Sequence, residues 1–171
     1  MDMLKPRQET PNLTVQLVNG DRWELSNQTP KNFTLIIFYR GLHCPKCEQY
    51  LKDLYQYLNK LTEIGVSVVA ISSDTEGAAK ETYKKWELDG LPLGYGCSIE
   101  EARNWGLFIS KGIKEKEPNL FIEPGVFIIK TDGKLYASSI QTMPFARPPI
   151  REIFGAIKYI TKERYPARGE A

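Results

Sequence analysis

Residues Phe33–Tyr39 (FTLIIFY) form a nearly unbroken apolar run of strand-forming types, and Arg40-Gly41-Leu42-His43-Cys44-Pro45-Lys46-Cys47 follows it directly. A run this short and this apolar on successive residues fits a strand buried on both faces, which places it inside a sheet covered by helices. From Pro45 onward the period changes. Cys47, Leu51, Leu54, Leu58 and Leu61 recur at three- and four-residue steps, and Gly65 stands where a left-handed helix stop belongs. The sequence therefore predicts a buried strand that turns into an amphipathic helix, with two cysteines at the turn.

The same reading extends along the chain. Leu13, Val15 and Leu17 alternate with polar residues up to Asn19-Gly20, and Trp23 and Leu25 resume the alternation beyond it, which predicts a hairpin. Val66–Ile71 (VSVVAI) reads as a second buried strand. Ser73 or Asp74 is then expected to cap a helix whose inner face carries Ala79, Tyr83 and Trp86. Ser98 and Glu101 have capping-box spacing for a short helix through Trp105, closed by Gly106. Residues 109–123 mix Lys, Glu, Gly and Pro and read as an irregular loop. Val126–Ile129 and Leu135–Ser139 are two strands joined by Thr131-Asp132-Gly133-Lys134, and a last helix opens at Pro148-Pro149 with Ile150, Ile153, Phe154, Ile157 and Ile160 as its stripe. Strand, helix, strand, helix implies a parallel pair with a right-handed crossover. Followed by an antiparallel hairpin and a closing helix, it gives the expected class: an α/β, thioredoxin-like fold, a central mixed sheet flanked by helices with an N-terminal β-hairpin extension, as one domain over residues 1–171.

Composition narrows the function classes. The chain carries 23 Lys and Arg against 21 Asp and Glu, so no basic surplus points to nucleic acid. Residues 1–12 lack an apolar core and no long apolar segment occurs elsewhere, so neither a secretory signal nor a membrane span is expected, and the cytoplasm is the default location. Three cysteines are too few for a disulfide scaffold, and one His cannot complete a Cys/His zinc site, so reduced thiols with no metal and no cofactor are expected.

Cys44 and Cys47 carry the chemistry. Unpaired N–H groups at a helix start hold partial positive charge and favour a thiolate over a thiol. Arg40, His43 and Lys46 add donors nearby, and together these should bring a cysteine below its free value of roughly 8.5. Two cysteines two residues apart on such a turn can also close a disulfide with little backbone movement. A redox dithiol fits better than half a zinc site, which lacks its second ligand pair. Cys97, after Gly94-Tyr95-Gly96, reads as a small buried hydrophobe, and Tyr50, Tyr55 and Tyr57 as helix surface and core edge.

FYRGLHCPKC resembles the active-site stretch of the peroxiredoxin-like branch of the AhpC/TSA group, whose members carry YRG, two variable residues, then Cys-Pro-x-Cys. The resemblance covers most of the chain, with VVAIS, EPGVFIIKTDGKLY and MPFARPP in support. It implies a thiol-dependent peroxidase acting on hydrogen peroxide or organic hydroperoxides, with a thioredoxin- or glutaredoxin-type reductant, and a homodimer is within its range. The sulfur would attack the O–O bond to give a sulfenic acid, and a second thiol would condense with it to a disulfide. It further implies Arg147, between the last strand and last helix, as a distal donor, and Pro124 in a place similar to the cis-proline that faces the dithiol in thioredoxins. The pattern departs from ordinary peroxiredoxins, which show Pro-x-x-x-Thr-x-x-Cys. That count puts Arg40 at the Pro, Cys44 at the Thr and Cys47 at the attacking cysteine, whereas the local wording His43-Cys44-Pro45 makes Cys44 the attacking sulfur, and we favour the latter. Thioredoxin-type dithiol–disulfide exchange and a non-enzymatic redox sensor stay open as alternatives.

Overall fold

A computed structural model describes residues 3–171. The strands are β1 (Thr14–Leu17), β2 (Arg22–Glu24), β3 (Phe33–Phe38), β4 (Val66–Ile71), β5 (Leu93–Tyr95), β6 (Ile109–Lys111), β7 (Leu120–Ile122), β8 (Gly125–Lys130) and β9 (Leu135–Ile140). The helices are α1 (Pro45–Glu63), α2 (Glu76–Lys85), α3 (Ile99–Asn104) and α4 (Ile150–Glu163). Seven strands form one mixed sheet in the order β2-β1-β5-β4-β3-β8-β9. The pairs β3/β4 and β4/β5 are parallel, and β3/β8, β8/β9, β1/β5 and β1/β2 antiparallel.

Every residue of β3 is buried, as its apolar run predicts. Because successive side chains point to opposite faces, the run feeds two cores at once. Leu35, Ile37 and Tyr39 pack with Leu51 and Leu54 of α1 and Ile153 and Ile157 of α4, whereas Ile36 and Phe38 pack with Trp105, Phe127 and residues of the β1–β2 hairpin. Burial on both faces makes β3 a rigid support, and its C-terminal end is where the cysteines sit.

The N-terminal hairpin forms over Thr14–Glu24, but it is more than an extension: Gln16 and Leu17 pair with Tyr95 and Gly94 of β5, so it widens the central sheet. Two expectations need correction. Residues 109–123 are not an irregular loop throughout, since β6 and β7 pair antiparallel, Ile109 with Ile122 and Lys111 with Leu120. Strands of three residues separated by Gly112 and Pro118 are too short to display an alternation. The cap of α2 is Thr75, whose hydroxyl accepts from Ala78 N, and not Ser73 or Asp74. Asp74 is held elsewhere. Among the described residues no helix is long and apolar enough to cross a membrane.

Candidate active site

Between β3 and α1 the chain reverses at Gly41, which has φ +136°. A Cβ there would lie 2.6–2.8 Å from the Asp74 carboxylate, so a side chain is excluded twice, by conformation and by space. Asp74 sits so close because Oδ2 accepts the Leu42 N–H at 2.9 Å. That bond ties the β4–α2 connection to the turn that presents the cysteines, and burial raises the Asp74 carboxyl against the opposing pull of this N–H.

Cys44 is the N-cap of α1, with Pro45 in the first helical turn. In place of the usual cap oxygen its Sγ accepts the Cys47 N–H at 3.2 Å. Cys44 is 3% exposed and Cys47 fully buried, and both are free thiols. Their environments push them apart. The Cys47 thiol and N–H both donate to Cys44 and, with the charges of Arg147 and Arg40, bring it down to about 7 against the pull of burial. Burial, and then the competition of Cys44 for charge, push the Cys47 thiol far up. One sulfur is thus ready to ionise near neutrality while the other keeps its proton.

Arg40 follows β3 directly. Its Nε and Nη2 donate to the two carboxylate oxygens of Glu123 at 2.8 and 2.6 Å, and the guanidinium lies over the Phe121 ring at 5.1 Å. Glu123 is 1% exposed and also accepts from the Ser110 hydroxyl at 2.7 Å. The ion pair joins the start of the cysteine turn to the β6–β7 hairpin. Arg147 lies in the β9–α4 connection. Its Nε donates to the Pro144 carbonyl at 2.9 Å, its Cζ stands 4.3 Å from the Tyr50 ring centroid, and its Nη1 is buried with no protein partner.

Cys44, Cys47, Arg40 and Arg147 are therefore brought together. His43 is not a donor to the sulfurs: its ring packs edge-on against Phe121 with centroids 4.7 Å apart, its Nε2 is buried without a partner, and burial lowers its basicity. Pro124 does not match a cis-proline, since no cis peptide bond occurs among the described residues; the trans form is the ordinary one, and here the Pro124 carbonyl accepts the Gln141 N–H. Cys97 packs with Ala102 and Trp105 in the second core, and burial pushes its thiol up to about 12. Two residues that support this arrangement have no counterpart in the sequence reading. Glu123 falls in the stretch read as an irregular loop, and Tyr50 among the tyrosines of helix surface and core edge; it is buried, and its hydroxyl donates to the Pro148 carbonyl at 2.6 Å. The one available signal for Tyr50 was its spacing of three from Cys47.

A family model described as the AhpC/TSA family matches residues 6–138. A search of curated protein sequences gave no significant match. Among solved structures, the chain is similar to the peroxidoxin BcpB from Mycobacterium tuberculosis at 17% identity, over 92% of this chain and 98% of that one, with a TM-score of 0.74. It is similar to a peroxiredoxin-like protein from Aquifex aeolicus at 19% identity, over 94% and 90%, with a TM-score of 0.76. A third is reduced Prx3 in complex with H2O2 from Vibrio vulnificus, at 14% identity, over 91% and 99%, with a TM-score of 0.75. At these identities the likeness establishes the fold, a thioredoxin-like arrangement of mixed sheet and helices.

Proposed function

Since the chain belongs to the AhpC/TSA family, we propose that it is a thiol-dependent peroxidase in which Cys44 attacks the peroxide and Cys47 resolves the product. The observation that carries this assignment is the contrast between the two sulfurs, a helix-capping Cys44 brought down to about 7 beside a fully buried Cys47 that is pushed up. At neutral pH a large share of Cys44 is thiolate. Its sulfur lone pair attacks one peroxide oxygen, the O–O bond breaks, and Cys44 becomes a sulfenic acid while the other oxygen leaves as alkoxide or hydroxide and takes up a proton. The unpaired Nη1 of Arg147 is a donor for the charge that gathers on the leaving oxygen. Cys47 then loses its proton, bonds to the Cys44 sulfur and releases water, and a thioredoxin- or glutaredoxin-type dithiol reduces the disulfide by exchange. A reducing compartment such as the cytoplasm suits such a cycle.

Hydrogen peroxide was bound in one structural neighbour, the Prx3 of Vibrio vulnificus, which supports peroxide as the class of substrate. One observation favours dithiol–disulfide exchange as the second reading. By the Pro-x-x-x-Thr-x-x-Cys count Cys44 takes the place of the threonine of ordinary peroxiredoxins, and the cap hydrogen bond that a hydroxyl would accept goes to a sulfur. Stopped-flow mixing of the reduced protein with hydrogen peroxide separates the two. Peroxidase action predicts oxidation far faster than that of a free thiol, abolished in Cys44→Ser and arrested at the sulfenic acid in Cys47→Ser. Oxidation no faster than a free thiol's, with rapid reduction of a protein disulfide, would establish exchange instead.

A further inference from the structure

We propose that Tyr50 is a positioning residue for the reaction at Cys44, holding the Arg147 guanidinium at the dithiol; this rests on the reading of Cys44 as the attacking sulfur. Tyr50 lies on α1 three residues beyond Cys47, so the two share a helix face. It grips the β9–α4 connection at two consecutive residues. Its ring carries the Arg147 guanidinium, with Cζ 4.3 Å from the centroid, and its hydroxyl donates to the Pro148 carbonyl at 2.6 Å. Neither Phe nor Leu could do both.

The connection has little else to hold it. Pro144, Pro148 and Pro149 contribute no N–H group, Met143 and Phe145 are 47% and 52% exposed, and Ala146 adopts a left-handed conformation at φ +56°. Arg147 itself donates once, to Pro144 within the same connection, so that bond does not fix the group relative to the cysteines. Tyr50 does, because it stands on the helix that Cys44 caps. The Tyr50 ring, on the helix face of Cys47, carries the guanidinium at 4.3 Å, and the Arg147 charge accordingly acts to lower Cys44, Cys47 and Tyr50 alike. The groups acting on Cys44 are Cys47 from α1, Arg40 from the end of β3 and Arg147 from the β9–α4 connection. Arg40 is held by the Glu123 carboxylate, and Arg147 by the Tyr50 ring on the helix that Cys44 caps.

Tyr50→Phe, Tyr50→Leu, Arg147→Met and the double variant Tyr50→Leu/Arg147→Met test this. The readouts are the pH at which Cys44 becomes half-maximally reactive to iodoacetamide, followed on the Cys44 peptide by mass spectrometry, and the rate constant with hydrogen peroxide. For a cation–π contact at a partly buried site, Arg147→Met and Tyr50→Leu should each slow the peroxide reaction roughly fivefold to tenfold and move the alkylation midpoint up by roughly half a unit to one unit. Tyr50→Phe, which keeps the ring, should shift both less, and the double variant should match the Arg147→Met variant. A folded Tyr50→Leu protein with an unchanged midpoint, or a double variant with the sum of the two shifts, would overturn the proposal. Arg147→Met with no effect overturns it too, since nothing would be left for Tyr50 to position; Cys44→Ser, measured alongside, then tells whether the peroxidase reading itself stands. Should Tyr50→Leu not fold, Tyr50→Phe decides: an upward shift supports the proposal and a wild-type midpoint overturns it.

Discussion

Two arginines reach the dithiol from different elements, and they are built in different ways. Arg40, at the end of β3, is saturated on its working edge, bidentate to a buried Glu123 that also takes the Ser110 hydroxyl. Arg147, in the β9–α4 connection, donates once to the Pro144 carbonyl, rests on the Tyr50 ring and keeps a buried Nη1 unpartnered. A buried carboxylate needs a partner whatever the protein does, so the first pair is explained by folding alone. The Arg147 guanidinium has no carboxylate partner, so its charge is not neutralised within the site as that of Arg40 is. The difference separates an arginine tied to a buried carboxylate from one held by a carbonyl and an aromatic ring.

The largest expected effect breaks the Arg40 side. Arg40→Met would strand Glu123, 1% exposed, with Ser110 as its one remaining hydrogen-bond partner, and should cost about 3–5 kcal/mol of stability in denaturant unfolding. Arg40→Met/Glu123→Leu should recover most of that loss, because no buried charge is left over. If the single variant is as stable as the wild type, the pair is not structural and the comparison collapses.

Elements long enough to show a period were legible in the sequence. The β3 run and the leucine spacing of α1 each repeat a local signal over five residues or more, the turn between β8 and β9 carries its own Asp-Gly signature, and tertiary packing agrees with all three. Strands β5, β6 and β7 offer three residues each, too few to distinguish from a loop. The cap of α2 is one or two residues beyond the expected Ser73 or Asp74, and Asp74, which has cap chemistry, spends its carboxylate on Leu42, which only the fold brings near. The cysteine turn itself was readable, since strand end, Gly41 and helix start are contiguous. Its supporting contacts were not: Glu123 meets Arg40 across 83 positions and Tyr50 meets Pro148 across 98, and neither pairing has a local signature.

A prediction of intermediate size concerns the sulfur both arginines act upon. With its folded value near 7 and an unfolded value near 8.5, Cys44 has a depressed pKa, so its ionisation contributes stability above the unfolded value, and that contribution is lost as pH falls through the folded one. The stability difference between the wild type and Cys44→Ser should therefore grow by about 1.5 kcal/mol from pH 6 to pH 8.5 in the reduced proteins. A difference flat in pH would mean that the cap hydrogen bond and the two arginines do not act on the thiolate. In contrast with Arg40→Met, Arg147→Met should change stability by less than about 1 kcal/mol while slowing the peroxide reaction severalfold, so denaturant melts and stopped flow on the two variants should rank them in opposite orders.

The smallest effect sharpens the Arg147 side at a position that touches neither sulfur. Ala146, next to Arg147, holds φ +56°, a conformation in which a Cβ is strained by roughly 1–2 kcal/mol. Ala146→Gly removes that strain but gives the unfolded chain more freedom, worth roughly 0.5–1 kcal/mol in the other direction, so the net gain in stability should be under about 1 kcal/mol. The connection would meanwhile become free to leave the left-handed region, and the guanidinium would depend on Tyr50 alone. A stability equal to or slightly above that of the wild type, together with a peroxide rate reduced about twofold, is the expected pair of results. A rate that rises with stability would instead mean that the strained alanine holds Arg147 away from its best position, and that the two grips on the connection, backbone and tyrosine, pull against each other.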